Sequence, residues 1–132
     1  NKMDGTKVYR QGELLFIETK IPTDLPDVAQ VLQDKGDNCI REGEVSGHKH
    51  EVFFGKLWNL LRTNLWYNGK NEKGEAAGQE QMQLPEGQMA ITSKERIEIR
   101  HPEHKPLVLP AGEYVVRIQR EYEEGKDRLV VD

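Results

Sequence analysis

Cysteine is nearly absent from this sequence, and so is any long apolar run. Cys39 is the only cysteine among the 132 residues, which excludes an internal disulfide and fits a reducing compartment. No segment approaches the roughly 20 consecutive apolar residues that a membrane-spanning helix needs. We therefore expect a cytoplasmic protein with no membrane partner. A chain of this length can bury a core without disulfides.

The sequence also lacks an excess of positive charge and several common catalytic signatures. Its 19 lysine and arginine residues stand against 23 aspartates and glutamates, so the net charge is −4. A basic footprint is the usual sign of a nucleic-acid-binding surface, and we therefore expect no DNA partner. The chain contains no P-loop and no G-x-G-x-x-G, H-E-x-x-H or G-x-S-x-G sequence.

Extended structure is the main secondary-structure signal. Residues 89–92, 97–99 and 114–119 have strand composition, and residues 13–18 form an apolar run of strand length. We predict a single domain over residues 1–132 with a mostly β fold. The architecture expected is a small β-barrel or sandwich with at most one or two short helices.

Three segments have patterns that fit more than one type of structure. Residues 27–35 could form a short helix or an irregular extended segment. Residues 53–67 favour a helix over a hairpin arm, because five apolar side chains fit a helical stripe: Phe54, Leu57, Trp58, Leu61 and Leu65. Residues 69–83 have almost no apolar content, which predicts a mobile loop or an insertion.

The four histidines occur as two tight pairs, and these are the candidate site. His48 and His50 point to the same face if their segment is a strand, because strand side chains alternate with period two. His101 and His104 flank Pro102, which blocks a regular strand there. Three residues of spacing across a turn can bring two imidazoles together. The fold is therefore expected to bring both pairs to one place.

Two such pairs predict a transition-metal site. Neutral imidazole is the commonest metal ligand in proteins, and we consider Zn, Fe, Ni or Mn as the divalent ion. Three ligands with one open position would be typical of a catalytic site, for hydrolysis or oxygen chemistry, and four of a structural one. Four glutamates are candidates for a carboxylate ligand or an outer partner: Glu44, Glu51, Glu103 and Glu121.

Two other functions remain open from the sequence. In a metal-free enzyme, two of these histidines would act as general acid and general base on an RNA phosphodiester. Lys49, Arg100 or Arg120 would then stabilise the negative charge that develops. In a non-enzymatic binding module, the histidines would only shape a surface. A small-molecule substrate stays as open as RNA.

A polar strand end closes the β-rich part of the chain. Gln119 and Glu121 would face one way, and Arg120 and Tyr122 the other. Such an end lines a pocket or forms a surface network, and Gln11 is a candidate to join it. Exposed strand edges would need covering, so a homodimer is a further expectation.

The segments around the histidines resemble a family of small, uncharacterised bacterial proteins. The matching segments are residues 11–15, 43–50, 101–114 and 119–122, and they include G-H-x-H and H-x-x-H-x-P-L-x-L-P-x-G-x-Y patterns. The resemblance implies no catalytic role. It marks residues 53–83 as the part most individual to this chain. A cupin-like barrel, which places an H-x-H pair on an inward strand face, is an architectural analogy only.

Overall fold

The structure of the protein is a computed structural model, which describes residues 6–21, 28–43, 45–119, 121–123 and 126–128. In these residues the chain is built from antiparallel strands and one 3-10 helix, Val28–Gln30. The sheets do not close into a barrel, and the arrangement is that of a small, mostly β sandwich. No helix among the described residues is long and apolar enough to cross a membrane.

The larger sheet has six antiparallel strands in the spatial order β1-β2-β12-β9-β6-β3. Neighbouring strands β1 and β2 form a hairpin, and the others are joined through longer connections. Its members are β1 (Val8–Gln11), β2 (Leu14–Glu18), β3 (Leu32–Asp34), β6 (Lys56–Leu60), β9 (Met89–Ser93) and β12 (Gly112–Ile118).

The smaller sheet has four antiparallel strands in the order β11-β10-β5-β4. The other four strands form two separate two-stranded ribbons. The sheet contains β4 (Cys39–Glu42), β5 (Lys49–Phe53), β10 (Ile97–His101) and β11 (His104–Leu109); the ribbons pair β7 (Asn64–Lys70) with β8 (Ala76–Gln83), and β13 (Glu121–Glu123) with β14 (Lys126–Arg128).

The main core lies between the two sheets. Alternate residues of β12 show the pattern, because Tyr114 and Val116 pack into this core while Val115 packs into a second cluster. Both faces of the six-stranded sheet are therefore partly covered. The main core consists of Leu14, Phe16, Leu57, Ile91, Tyr114 and Val116 from the larger sheet and Ile40, Val52, Ile97, Ile99 and Leu109 from the smaller one.

The predicted helix over residues 53–67 is wrong. The segment instead contains β6 and the first half of β7, with a turn at Phe54 and Gly55. Leu57 faces the main core, whereas Leu60 belongs to the second cluster on the opposite face. A strand that is buried on both faces carries apolar residues at mixed spacings, so its pattern imitates a helical stripe.

Two further segments differ from the sequence expectation. The helix considered over residues 27–35 is reduced to the 3-10 helix, after which β3 begins at Leu32; residue 27 lies outside the described residues. The loop expected over residues 69–83 is largely strand, because β8 pairs with β7 along most of its length. The strand signals at residues 13–18, 89–92, 97–99 and 114–119 are confirmed.

Candidate metal-binding site

Three histidines meet at one end of the sandwich. Each of His50, His101 and His104 offers one ligand nitrogen, and these three atoms lie within 4.8 Å of one another. His50 is fully buried, His101 is 6% exposed, and His104 is half-buried. Such a cluster of imidazoles inside a protein is unusual, since buried polar side chains are costly unless they are satisfied.

One strand and one hairpin turn position these three side chains. His50 lies in β5, between two neighbours that face the other side of the sheet. His101 ends β10 and pairs across a two-residue turn with His104, the first residue of β11. The register of this hairpin shifts between Ile99 and His101. A shift of this kind re-aims the side chain that follows it, and such irregularities are frequent beside functional sites.

Gln11 fixes the orientation of the His50 ring. Its amide nitrogen donates to the backbone oxygens of Ile99 and Lys105, both at 2.9 Å, so both amide hydrogens are used. Its Oε1 therefore faces Nδ1 of His50, at 2.8 Å. Because that oxygen can only accept, Nδ1 of His50 carries a proton and donates it to Gln11.

A buried ion pair stands on the other side of His50. Oε1 of Glu13 is 3.3 Å from Nε2 of His50, and Oε2 of the same carboxylate is 2.7 Å from Nε of Arg41. Glu13 is only 1% exposed. Oε1 of Glu13 is within hydrogen-bond distance of Nε2 of His50, and an ionised carboxylate oxygen can only accept, so a hydrogen bond between them needs a proton on Nε2. In the described structure the guanidinium of Arg41 balances the buried negative charge.

Nδ1 of His101 accepts a hydrogen bond, whereas Nδ1 of His50 donates one. The backbone N–H of Glu103 donates to Nδ1 of His101 at 3.0 Å, across the Pro102–Glu103 turn. The accepting nitrogen cannot carry a proton, so the proton of the neutral ring is on Nε2. Nδ1 therefore donates in His50 and accepts in His101.

The remaining ring, that of His104, is packed against the backbone of the β1–β2 turn. Its Nε2 is inaccessible to solvent, and none of the described residues makes a hydrogen bond to it. A Cβ added at Gly12 would lie 2.8 Å from this atom and 3.2 Å from Cε1 of His50. Gly12 also has φ of +60°, a conformation that favours glycine. Three consecutive residues, 11–13, therefore enclose the cluster.

His48 joins the cluster only at its outer side. Its ring lies edge-on to that of His101, with the ring centres 5.8 Å apart. Its Nδ1 is 3.4 Å from Oε1 of Glu103, and both side chains are partly exposed. His48 lies outside the group of three whose nitrogens approach within 4.8 Å. The two histidine pairs are thus brought together, although the four rings are not equivalent.

Other residues considered from the sequence lie elsewhere. Lys49 is exposed next to His50, and alternation along β5 directs it to the opposite face. Arg100 bonds to Glu98 at 2.8 Å and stacks on the ring of Phe53. Glu51 is the cross-strand neighbour of Arg100. The structure does not describe Glu44, Arg120 or the side chains of Glu121 and Tyr122. The backbone N–H of Gln119 donates to the backbone oxygen of Glu13.

Sequence reasoning missed the ion pair of Glu13 and Arg41. Glu13 reads as the polar start of an apolar run, and Arg41 as an ordinary strand residue. One signal was present, because a Gln-Gly-Glu turn places two polar side chains immediately before a buried strand. Arg41 carries no comparable signal. Its position comes from a register shift between Cys39 and Arg41 in the pairing of β4 with β5.

A cavity lies apart from the histidines, none of which lines it. It has a volume of about 540 Å³ and a mostly apolar lining that includes Ile21, Leu32 and Trp58. Lys94 and Glu113 stand among its polar residues, but no group of metal-ligating side chains is found there among the described residues. The chemistry-bearing side chains are at the histidine cluster.

Fold and site together define a small β-sandwich protein with a buried histidine cluster. A family model described as "Domain of unknown function (DUF8820)" matches residues 10–119, and the chain belongs to that family. The matched range contains every residue of the cluster and its partners. This agrees with the resemblance to an uncharacterised family. No curated protein and no solved structure matches the chain.

Proposed function

We propose that the protein binds one divalent transition-metal ion through His50, His101 and His104. The observation that carries the proposal is the convergence of three imidazole nitrogens within 4.8 Å, in a buried position. The Nε2 of His104 supports it, because a buried nitrogen without a hydrogen bond is costly unless something binds it. Glu13 adds a buried carboxylate oxygen 3.3 Å from Nε2 of His50, next to the proposed ligands.

The donor set favours particular metals. Imidazole suits Zn²⁺, Fe²⁺, Ni²⁺ and Cu²⁺, whereas Mn²⁺ prefers carboxylate and water ligands. Of the four ions expected from the sequence, zinc, iron and nickel therefore fit better than manganese. Gln11 strengthens the fit, since an outer hydrogen bond to Nδ1 is the usual way in which a metal-binding histidine is oriented.

Three protein ligands leave a coordination position open. This is the arrangement of catalytic zinc sites, while structural zinc sites are closed by four ligands. We therefore propose an enzyme that carries out metal-assisted hydrolysis or oxygen chemistry on a small molecule. The half-buried His104 and the partly exposed His48 mark the side from which such a molecule would enter.

Elemental analysis with histidine variants tests the proposal. The purified, untagged protein is loaded with zinc, and bound metal is compared with that of His50→Ala, His101→Ala and His104→Ala. Each variant is expected to lose more than the 10- to 100-fold in affinity that losing an outer partner costs. His48→Ala is the matched control and should keep close to the wild-type affinity. If the protein binds no equivalent of metal after reconstitution with each of the candidate ions in turn, the proposal is overturned.

One observation favours a second candidate. The hydrogen bond from Glu103 satisfies Nδ1 of His101 without a metal, which is compatible with a metal-free acid–base pair. In that case His48 and His104, the more exposed histidines, would act on an RNA phosphodiester. The candidate predicts RNA cleavage that survives chelator and is lost in both His48→Ala and His104→Ala. Cleavage that chelator abolishes would exclude it.

Three expectations of the sequence remain proposals. The single cysteine supports a cytoplasmic location. The match over residues 10–119 supports treating this length as one domain. Strands β4 and β11 are the outermost strands of the four-stranded sheet, and a homodimer is a common way to cover such edge strands. Light scattering at two protein concentrations tests the dimer, and a monomer at both would exclude it.

A further inference from the structure

We propose that the Pro102–Glu103 turn is a latch that holds the site in its metal-free form and opens when metal binds. The inference rests on the proposed metal site and adds its regulation. It starts from the hydrogen bond that the backbone N–H of Glu103 donates to Nδ1 of His101 at 3.0 Å.

Either nitrogen of His101 must give up this hydrogen bond to become a ligand. If Nδ1 binds the metal, its lone pair is no longer available to the N–H of Glu103. If Nε2 binds the metal, the proton of the neutral ring moves to Nδ1, which then donates and cannot accept. Both routes break the contact with Glu103. The hydrogen bond between Nδ1 of His50 and Gln11 needs no such change, because Nδ1 still donates when Nε2 is the ligand.

The consequence reaches the outer side of the site. Glu103 uses its backbone to hold His101, and its carboxylate lies 3.4 Å from Nδ1 of His48. A turn that releases His101 also moves the residue that contacts His48. The two-residue connection between His101 and His104 gives little slack, so both ligands are affected by the same movement. Metal occupancy is thereby linked to the position of His48 at the outer side.

Long-range ¹H–¹⁵N spectra of the histidine rings test the latch. Chelator-treated protein at a pH of about 8, where ordinary imidazole is neutral, should show His50 protonated on Nδ1 and His101 protonated on Nε2. Zinc should change the His101 pattern and shift the Glu103 amide, while the His50 tautomer stays the same. The amide of Gly36, in a turn where an added Cβ would have nothing within 4 Å, is the internal control.

The outcomes separate the latch from the metal site. His101 protonated on Nδ1 in the metal-free protein would overturn the latch whether or not zinc binds. Zinc that binds while the Glu103 amide and the His101 tautomer stay unchanged would also overturn it. If zinc alters no histidine, the proposed metal site fails, and a linkage to metal fails with it.

A backbone change gives a second test. Replacing the amide of residue 103 by an ester removes the N–H donor and keeps every side chain. Loss of an ordinary hydrogen bond corresponds to about a fivefold change in an equilibrium constant, so the ester protein should bind zinc about fivefold more tightly. The variant Glu103→Ala keeps the N–H, and its zinc affinity should stay near that of the wild type. An ester protein with unchanged or weaker zinc binding would contradict the latch.

Discussion

Gly12 offers the sharpest test of how the histidine cluster is enclosed. In Gly12→Ala, the added Cβ would lie 2.8 Å from Nε2 of His104 and 3.2 Å from Cε1 of His50. Distances this short require the rings to move. The backbone also has φ of +60°, where an alanine costs about 1–2 kcal/mol. Overpacking a filled site costs about 1–3 kcal/mol more.

The expected loss of unfolding free energy is thus about 2–5 kcal/mol, from the sum of these two costs. Gly36→Ala is the matched control, because Gly36 has φ of +89° and nothing within 4 Å of its added Cβ. That control should cost only the backbone contribution, about 1–2 kcal/mol. Urea unfolding measures both values, and zinc titration shows whether displaced rings still bind metal. Equal losses in the two variants, together with unchanged zinc affinity in Gly12→Ala, would refute the packing of Gly12 against His104.

Two further predictions concern buried polar groups. Arg41→Met should lower the unfolding free energy by about 3–5 kcal/mol in urea titrations, because it removes the arginine that pairs with the buried carboxylate of Glu13. The double variant Arg41→Met with Glu13→Gln should recover part of this loss, and no recovery would contradict the pairing. Tyr114→Phe should cost about 1 kcal/mol, because Tyr114 donates to the backbone oxygen of Pro110 at 2.7 Å. Burial raises the pKa of Tyr114 to about 12, so the stabilisation that the neutral hydroxyl provides should be complete below pH 10 and be lost as the pH rises through 12. An ultraviolet titration in which all tyrosines ionise near pH 10 in the folded protein would contradict this.

Much of the site could be predicted from spacing alone. His48 and His50 are two residues apart, and strand alternation brings both to the side where His101 lies. His101 and His104 meet because a two-residue turn separates them. These are local relations, which a sequence states directly. The separation of His48 from the group of three depends on exact side-chain positions, which no spacing rule supplies.

The partners of the cluster could not be predicted in the same way. Glu13 lies in the turn between β1 and β2 of the larger sheet and Arg41 lies in β4 of the smaller sheet, so they meet only because the two sheets pack together at this end. Gln11 was a candidate for a polar pocket, but its partner His50 lies 39 residues away. Contacts of this kind depend on the register and packing of the sheets. Periodicity in one strand carries no information about the strand that covers it.

The errors in secondary structure have a related cause. The segment at residues 53–67 appears helical because both faces of the six-stranded sheet are covered, so polar and apolar residues do not simply alternate. The ribbon of β7 and β8 was missed because β8 is exposed along nearly its whole length. A polar sequence then pairs through backbone hydrogen bonds, which leave no trace in side-chain composition.

X-ray absorption at the zinc edge of the metal-loaded protein tests the central claim most directly. We predict one zinc ion with three imidazole ligands at Zn–N distances of about 2.0–2.1 Å, and one fewer imidazole in His104→Ala. His48→Ala should leave the spectrum unchanged. A spectrum dominated by oxygen ligands, or one in which His104→Ala has no effect and His48→Ala removes an imidazole, would contradict the three-histidine site.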